Sequence, residues 1–424
     1  MSIIPSMIQD DKKEEVREAA DLVEVVGDYV RLKRSGRSFV GLCPFHDERT
    51  PSFNVNPQLG IYKCFGCGAS GDIFSFVMEM EGVGFPEALR TLAERYGISL
   101  PDASGPVDEE QHHEREGIYH ALRFAGLYYY RQLREEPEAE QARDYLATRG
   151  YDSGIIRRFG LGYAPGRGES LFKAASREGM KEEYLLKADL IKPSRRGDGY
   201  YDTFRDRLIF PIFNPSGKVI AFAGRVLGDR KEAKYINSAQ TPVYNKSEVV
   251  YGVNFSKNDI RKEEEAILVE GYTDVITLHQ YGIGNVVASS GTALTPGQLN
   301  VLKRYANRLI MLYDSDSAGQ NAMKRGMNLA LGEGMEVMLL ELSKGEDPDS
   351  WVRTHGEESF QKLLKEGSRD VVTFSVEQAE QSGELETPGG RTRLITSLLE
   401  SIAEIPDSLS RQVYVQHLHQ KTQR

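Results

Sequence analysis

Between Ala266 and Leu342 the chain alternates short apolar runs with amphipathic stretches, and no other feature constrains its fold as tightly. "AILVEG", "NVVASSG", "RLIMLY" and "MEVMLLEL" read as strands. "YTDVITLHQYG", "TPGQLNVLKRYAN" and "SAGQNAMKRGMNLALGEG" between them read as helices, with Thr295 as a cap and Pro296 in the first turn of the second. Strands that alternate with helices form a parallel sheet flanked by helices, and such sheets bind ligands beyond the carboxyl ends of their strands.

Carboxylates are concentrated at those ends. Glu270 closes the first strand and Asp274 follows it; Asp314 and Asp316 close the third; Asp347 and Asp349, in "GEDPDS", follow the fourth. Asp314 and Asp316 stand two apart, so in an extended segment they leave the same face and repel unless a cation lies between them. Taken singly, Asp316 before Ser317 or Asp347 before Pro348 could be only a helix cap. Six carboxylates on one edge cannot all stay ionised without cations. Oxygen ligands suit Mg²⁺ or Mn²⁺, and this many can hold two or more ions, as phosphoryl transfer requires.

All three cysteines fall within "CPFHDERTPSFNVNPQLGIYKCFGC". Cys43 and His46 form a C-x₂-H pair and Cys64 and Cys67 a C-x₂-C pair, a spacing that supplies four ligands to one structural zinc in a zinc ribbon. Three cysteines cannot all pair as disulfides. Around them Arg31, Lys33, Arg34, Arg37, Arg49 and Lys63 interleave with Phe39, Phe45, Phe53, Tyr62 and Phe65. Exposed rings beside cations suit single-stranded nucleic acid, whereas buried rings would be the small module's core. "GDIFSFVMEMEGVGFPEALRTLAERYG" then reads as two helices.

The 424 residues carry a formal net charge of −10, which disfavours wrapping a long duplex. The middle is locally basic, however. In "YYDTFRDRLIFPIFNPSGKVIAFAGRVLG" and the segment after it, Arg205, Arg207, Arg225, Lys234 and Lys246 precede the carboxylate region, either as solvated surface charges or ion-pair partners of Asp202 and Asp206, or as contacts to phosphate. No apolar run has the length of a membrane span and the amino terminus lacks a secretion signal, so the expected location is the cytoplasm, with no membrane partner.

"EGYTD", "YDSDSAG" and "DPD", in this order, resemble the TOPRIM motif of primases, topoisomerases and some nucleases. With the C-x₂-H and C-x₂-C knuckles, "FRDRLIFPI", "GRVLG" and "KYINSAQTPVYNKSEVVYG", the chain resembles bacterial DNA primase over most of its length. That resemblance implies synthesis of short RNA primers on single-stranded DNA at the replication fork. It implies Glu270, Asp274, Asp314, Asp316, Asp347 and Asp349 as positions of a magnesium site. It also implies that Arg149 in "TRGY", with Arg225, Lys234 and Lys246, lies along the path of template or nucleotide. Implied partners are single-stranded DNA, ribonucleoside triphosphates, the primer–DNA hybrid and, through a further helical domain, the replicative helicase. That last domain is expected to be missing from this chain.

The expected layout is a zinc-ribbon domain over 1–100, a linker over 101–116, a basic mixed α/β part over 117–260, a TOPRIM sheet over 261–349 and a helical part over 350–424. Glu270 could serve as ligand or as proton acceptor. A nuclease would use the same cations for hydrolysis, a topoisomerase would add a tyrosine nucleophile, and a DNA-binding adaptor would leave the carboxylates without a role.

Overall fold

The computed structural model describes residues 13–46, 48, 50–81, 83–98, 100, 106–194, 197, 199–228, 231–289, 293–313, 317–343 and 345–422, with backbone alone at 86, 106–112 and 317–321. Two compact units divide the chain, one up to Glu114 and one from Arg115.

In the first unit, five strands follow one another as an antiparallel meander: Lys33–Ser35, Ser38–Gly41, Phe53–Asn56, Ile61–Cys64 and Ser70–Asp72. Alternation decides which side chains enter its core. Tyr62 and Cys64 point inward from the fourth strand while Ile61 and Lys63 face out. Phe53 and Tyr62 stack at 5.2 Å between centroids, and Phe45 and Phe76 pack on them edge-on or tilted. Two helices, Ile73–Glu81 and Phe85–Arg95, close the core, the second with proline in its first turn.

The second unit is entered along a helix, Pro106–Glu135, so the segment expected as a linker over 101–116 is helical from Pro106 onward. This helix lays Ile118, Leu122, Ala125 and Tyr129 against one face of a four-stranded antiparallel sheet. Its strands, in spatial order, are Tyr235–Asn237, Val219–Val226, Arg207–Phe213 and Gly162–Ala164. The tight connection at "NPSG" depends on Gly217, whose φ of +87° suits glycine. Because successive side chains alternate, Ile209 and Phe222 face the long helix, while Leu208, Phe210 and Ile212 face the other way. That second face meets the parallel sheet's layer, where Phe210 stacks on Tyr272 at 5.5 Å.

The other sheet has the spatial order Val286–Ala288, Glu265–Val269, Arg308–Tyr313, Glu336–Glu341, Arg369–Asp370. The first four strands are parallel and the last, short one is antiparallel. Helices Tyr272–Gln280, Pro296–Lys303 and Ser317–Gly332 connect the parallel strands. The second is held by a reciprocal cap in which Thr295 Oγ1 accepts from Gln298 N and Thr295 N donates to Gln298 Oε1, both at 3.2 Å. In chain order the second strand lies to one side of the first and the third to the other. The connection therefore reverses direction between Glu265–Val269 and Arg308–Tyr313, which makes a topological switch point at their carboxyl ends.

Helix Pro348–Gly367, broken at Gly356, covers one face of this sheet. Helices Val371–Gln381, Pro388–Ala403 and Ser408–Thr422 pack together on the other, where Val372, Val376, Leu398, Ile402 and Leu418 join Met327, Val337 and Leu339. Among the described residues no helix is long and apolar enough to cross a membrane.

Candidate active site and metal centre

Cys43, His46, Cys64 and Cys67 present one ligand atom each, all within 4.8 Å of one another. Cys43 Sγ and Cys67 Sγ lie 3.8 Å apart and Cys64 Sγ lies 3.6 Å from His46 Nδ1. A tetrahedron built on zinc–sulfur bonds of about 2.3 Å has edges of about 3.8 Å, and the sulfur–nitrogen edge is slightly shorter. The four residues therefore fit zinc, and no cysteine is in a disulfide.

The support around them is equally specific. With Nδ1 turned to the sulfurs, His46 presents Nε2 to Glu48 Oε2 at 3.4 Å. Glu48 is fixed in turn by the N–H groups of Cys43 (2.7 Å) and Ser52 (2.9 Å) and by the Ser52 hydroxyl. A carboxylate in this position orients a ligating imidazole and raises its basicity. Burial disfavours the Cys64 thiolate, but hydrogen bonds from Ser52 and from the backbone of Cys67 and Gly66 outweigh it and bring the thiol down to about 6. Gly66 has to be glycine, since a Cβ there would lie 2.5 Å from His46 Nε2. Nothing in the spacing of the cysteines singled out Glu48.

Of the rings interleaved with cations, Phe53 and Tyr62 are core, and Phe39 and Phe45 are partly buried against them. Phe65, between the two cysteines of the second knuckle, is 72% exposed with Lys63 Nζ 5.5 Å from its ring centroid.

At the switch point of the parallel sheet, Leu268 pairs with Met311, so Glu270 leaves the first strand beside the end of the third at Tyr313. Tyr313 is buried and its hydroxyl is held well above its ordinary range, first by burial and then by the charge of Glu270. Asp274 sits in the first turn of helix Tyr272–Gln280, 8% exposed, accepting from Gly271 N at 3.1 Å. Asp314 and Asp316 lie outside the described residues, between Tyr313 and the helix that opens at Ser317. Asp347 caps the helix after the fourth strand, its Oδ1 accepting from Ser350 N at 2.7 Å. Among the described residues the four-membered cysteine–histidine group is the one cluster of three or more metal-ligating side chains. An all-oxygen donor set at this edge suits a hard divalent cation.

Asp349 is placed differently from the ligand expected of it. It is 3% exposed, its Oδ2 accepts from Arg149 Nη1 at 2.6 Å and its Oδ1 accepts from the Thr277 hydroxyl.

The basic residues separate into two kinds. Arg149 and Arg225 lie over the ring of Tyr145, at 5.0 and 4.5 Å from its centroid, and Arg225 also donates to the Tyr235 hydroxyl at 2.9 Å. Tyr235 is raised mainly by burial and lowered by Arg225, with Asp274 close enough to raise it again, which ties this cluster to the carboxylates. Arg205 is exposed beside the ring of Tyr201, Lys234 is exposed, and Lys246 is half-buried. Arg207 does not fit a nucleic-acid contact. It is 5% exposed and donates to the carbonyls of Gly224 and Ala233 and to Glu232, cross-linking the antiparallel sheet from inside. Sequence reading passed over Tyr145 and Tyr235; the spacing of Tyr145 and Arg149, one helical turn apart, was the available signal.

Four family models match the chain: CHC2 zinc finger over residues 8–107, DNA primase catalytic core, N-terminal domain over 128–257, Toprim-like over 267–352, and DnaB-helicase binding domain of primase over 372–424. The last corrects the expectation that no helicase-binding segment would be found. DNA primase of Clostridium acetobutylicum is 38% identical over 98% of this chain and 68% of its own length. That of Pseudomonas aeruginosa is 36% identical over 99% and 63%. The chain thus spans about two thirds of the length of these relatives. Among solved structures, the zinc-binding and RNA polymerase domains of the Aquifex aeolicus primase match at 35% identity and a TM-score of 0.66, covering 97% of both chains. A DnaG primase catalytic domain bound to single-stranded DNA matches at 34% identity and a TM-score of 0.63, covering 73% of this chain and 99% of its own.

Proposed function

The chain belongs to the bacterial DNA primase family, and from that premise we propose which of its residues carry the reaction. It is a DNA-directed RNA polymerase that makes RNA primers for replication. Glu270, Asp274, Asp314, Asp316 and Asp347 hold two or more Mg²⁺ or Mn²⁺ ions. When bound, such ions activate the attacking 3′-hydroxyl and neutralise charge on the triphosphate of the incoming ribonucleotide.

The chain's own part is to position and neutralise. Arg149, Arg225, Lys234 and Lys246 bind phosphates of template or nucleotide, with Arg205 extending the basic path, so that the reacting groups are held in line. Glu270 acts as ligand or as acceptor of the 3′-hydroxyl proton. The zinc unit, held by Cys43, His46, Cys64 and Cys67, contributes template choice, with Phe65 as a surface on which a base stacks. Residues 372–424 bind the replicative helicase, and the protein works in the cytoplasm at the fork, on single-stranded DNA, ribonucleoside triphosphates and the primer–DNA hybrid.

The observation that carries this reading is the switch point: the strand order sets Glu270 beside the third strand's end, where Asp314 and Asp316 follow in sequence. Incubation with single-stranded DNA, labelled ribonucleotides and Mg²⁺ tests it. Short template-complementary RNA is the expected product; degraded DNA would mean a nuclease, and unchanged DNA with no RNA a binding protein.

A further inference from the structure

We propose that Asp349 is a positioning residue for Arg149 and supplies no ligand to the catalytic cations. The proposal rests on the reading of Arg149 as a phosphate contact and goes beyond it by giving the second carboxylate of "DPD" a different task from the first.

Both oxygens of Asp349 are engaged inside the protein. Oδ2 receives Arg149 Nη1 at 2.6 Å, with Arg353 Nε at 4.0 Å, and Oδ1 receives the Thr277 hydroxyl. Thr277 is fully buried and also bonds the Tyr151 hydroxyl at 3.0 Å, which lies 3.0 Å from the carbonyl of Thr273. The network thereby joins the residue after helix Glu140–Thr148, the helix that carries Asp274, and the first turn of helix Pro348–Gly367.

Three physical points argue against a cation at this carboxylate. Mg²⁺ sheds water reluctantly and keeps several waters in most protein sites, whereas both oxygens of the buried Asp349 are already taken by protein donors. The Arg149 guanidinium already neutralises it, and a divalent ion on the same oxygens would face that positive charge at close range. Displacing the arginine would leave a partly buried cation, and the buried Thr277 hydroxyl, without their partner, a costly state.

Arg149 is the beneficiary. A guanidinium carries five donors, and the pair with Asp349 uses one of them. Its side chain keeps 20% of its surface exposed, and the Tyr145 ring covers it at 5.0 Å. Asp349 from one side and Tyr145 from another restrict its rotamers, so the ordering that phosphate binding would otherwise require is done in advance. Asp347, two residues earlier at the cap and half-buried, remains with the cation set.

The test uses the full chain. Mn²⁺ titration by electron paramagnetic resonance, without nucleotide, counts cations, and primer-extension kinetics separate KM from kcat. Asp349→Asn is expected to bind as many Mn²⁺ ions as the parent, with affinity within about twofold. Its KM for ribonucleotides should rise about tenfold, and in the Arg149→Ala background it should add nothing, because the two act as one unit. Loss of a Mn²⁺ equivalent overturns the proposal, as does a KM effect that multiplies with that of Arg149→Ala. If Arg149→Ala alone leaves both nucleotide KM and DNA binding unchanged, the reading of Arg149 fails and the proposal with it, while the Mn²⁺ count shows that failure to be separate from one in the cation site. Thr277→Val covers the case in which Asp349→Asn does not fold. It removes the hydroxyl's contacts to Asp349 and Tyr151 and neither charge, and should raise KM severalfold at an unchanged Mn²⁺ count; an unchanged KM overturns the proposal.

Discussion

At Gly271 a Cβ would come within 2.8 Å of Asp274 Oδ2. The atom that would have to move is the buried carboxylate itself, so the smallest possible substitution acts directly on the proposed cation site. Gly271→Ala is expected to leave the fold intact by circular dichroism and to lower the rate of primer extension about a hundredfold, the scale of loss for a displacement near 1 Å. Glu48 plays a comparable part at the zinc: Glu48→Gln keeps the shape but weakens the hold on His46, and zinc affinity in a chelator competition should fall about 10- to 100-fold. Residue type and spacing made the four-residue cysteine–histidine cluster readable, because a knuckle is a local structure. The same reading could not distinguish Arg207 from Arg225. They lie on adjacent, paired strands with similar neighbours in sequence, and only the packed sheet shows that one guanidinium is pinned inside it while the other lies against Tyr145.

At the scale of elements, periodicity carried most of the information. Each apolar run between Ala266 and Leu342 is a strand and each stretch between them a helix, because both patterns express burial on one side. The order of the strands was not legible, since it depends on contacts between distant segments, and the switch point follows from that order. Nor did the composition of 101–116 reveal that its second part is helical. The Asp349–Arg149 pair spans 200 positions and leaves no local trace. Phe210 connects the two sheets through its stack on Tyr272, two residues before Asp274 on the same helix. Phe210→Ala should cost about 3 to 5 kcal/mol in the unfolding transition of the larger unit, followed by tyrosine fluorescence or near-ultraviolet dichroism in denaturant.

On the proposed reading, the zinc unit adds template choice to a larger unit that carries both the chemistry and the basic path. The zinc unit has its own core, exposes Phe65 beside Lys63, and holds none of the six expected cation-site carboxylates; those and the basic path belong to the larger unit. A chain beginning at Pro106, which keeps the long helix whole, is therefore expected to form phosphodiester bonds on primed templates while losing the parent's choice of start sites, as mapped by sequencing the products. The central claim is that strand-end carboxylates, held at the switch point, bind the cations for nucleotide transfer. Glu270→Gln tests it most directly, because glutamine keeps the size of the side chain and removes its charge at a described position. The measurement is primer extension at saturating Mg²⁺ on a preparation whose single-stranded DNA binding and thermal unfolding are recorded in parallel. We expect extension to fall by about two to three orders of magnitude, with DNA binding equal or slightly tighter and the unfolding temperature little changed. Extension at the parent rate by the folded Glu270→Gln protein would contradict the account.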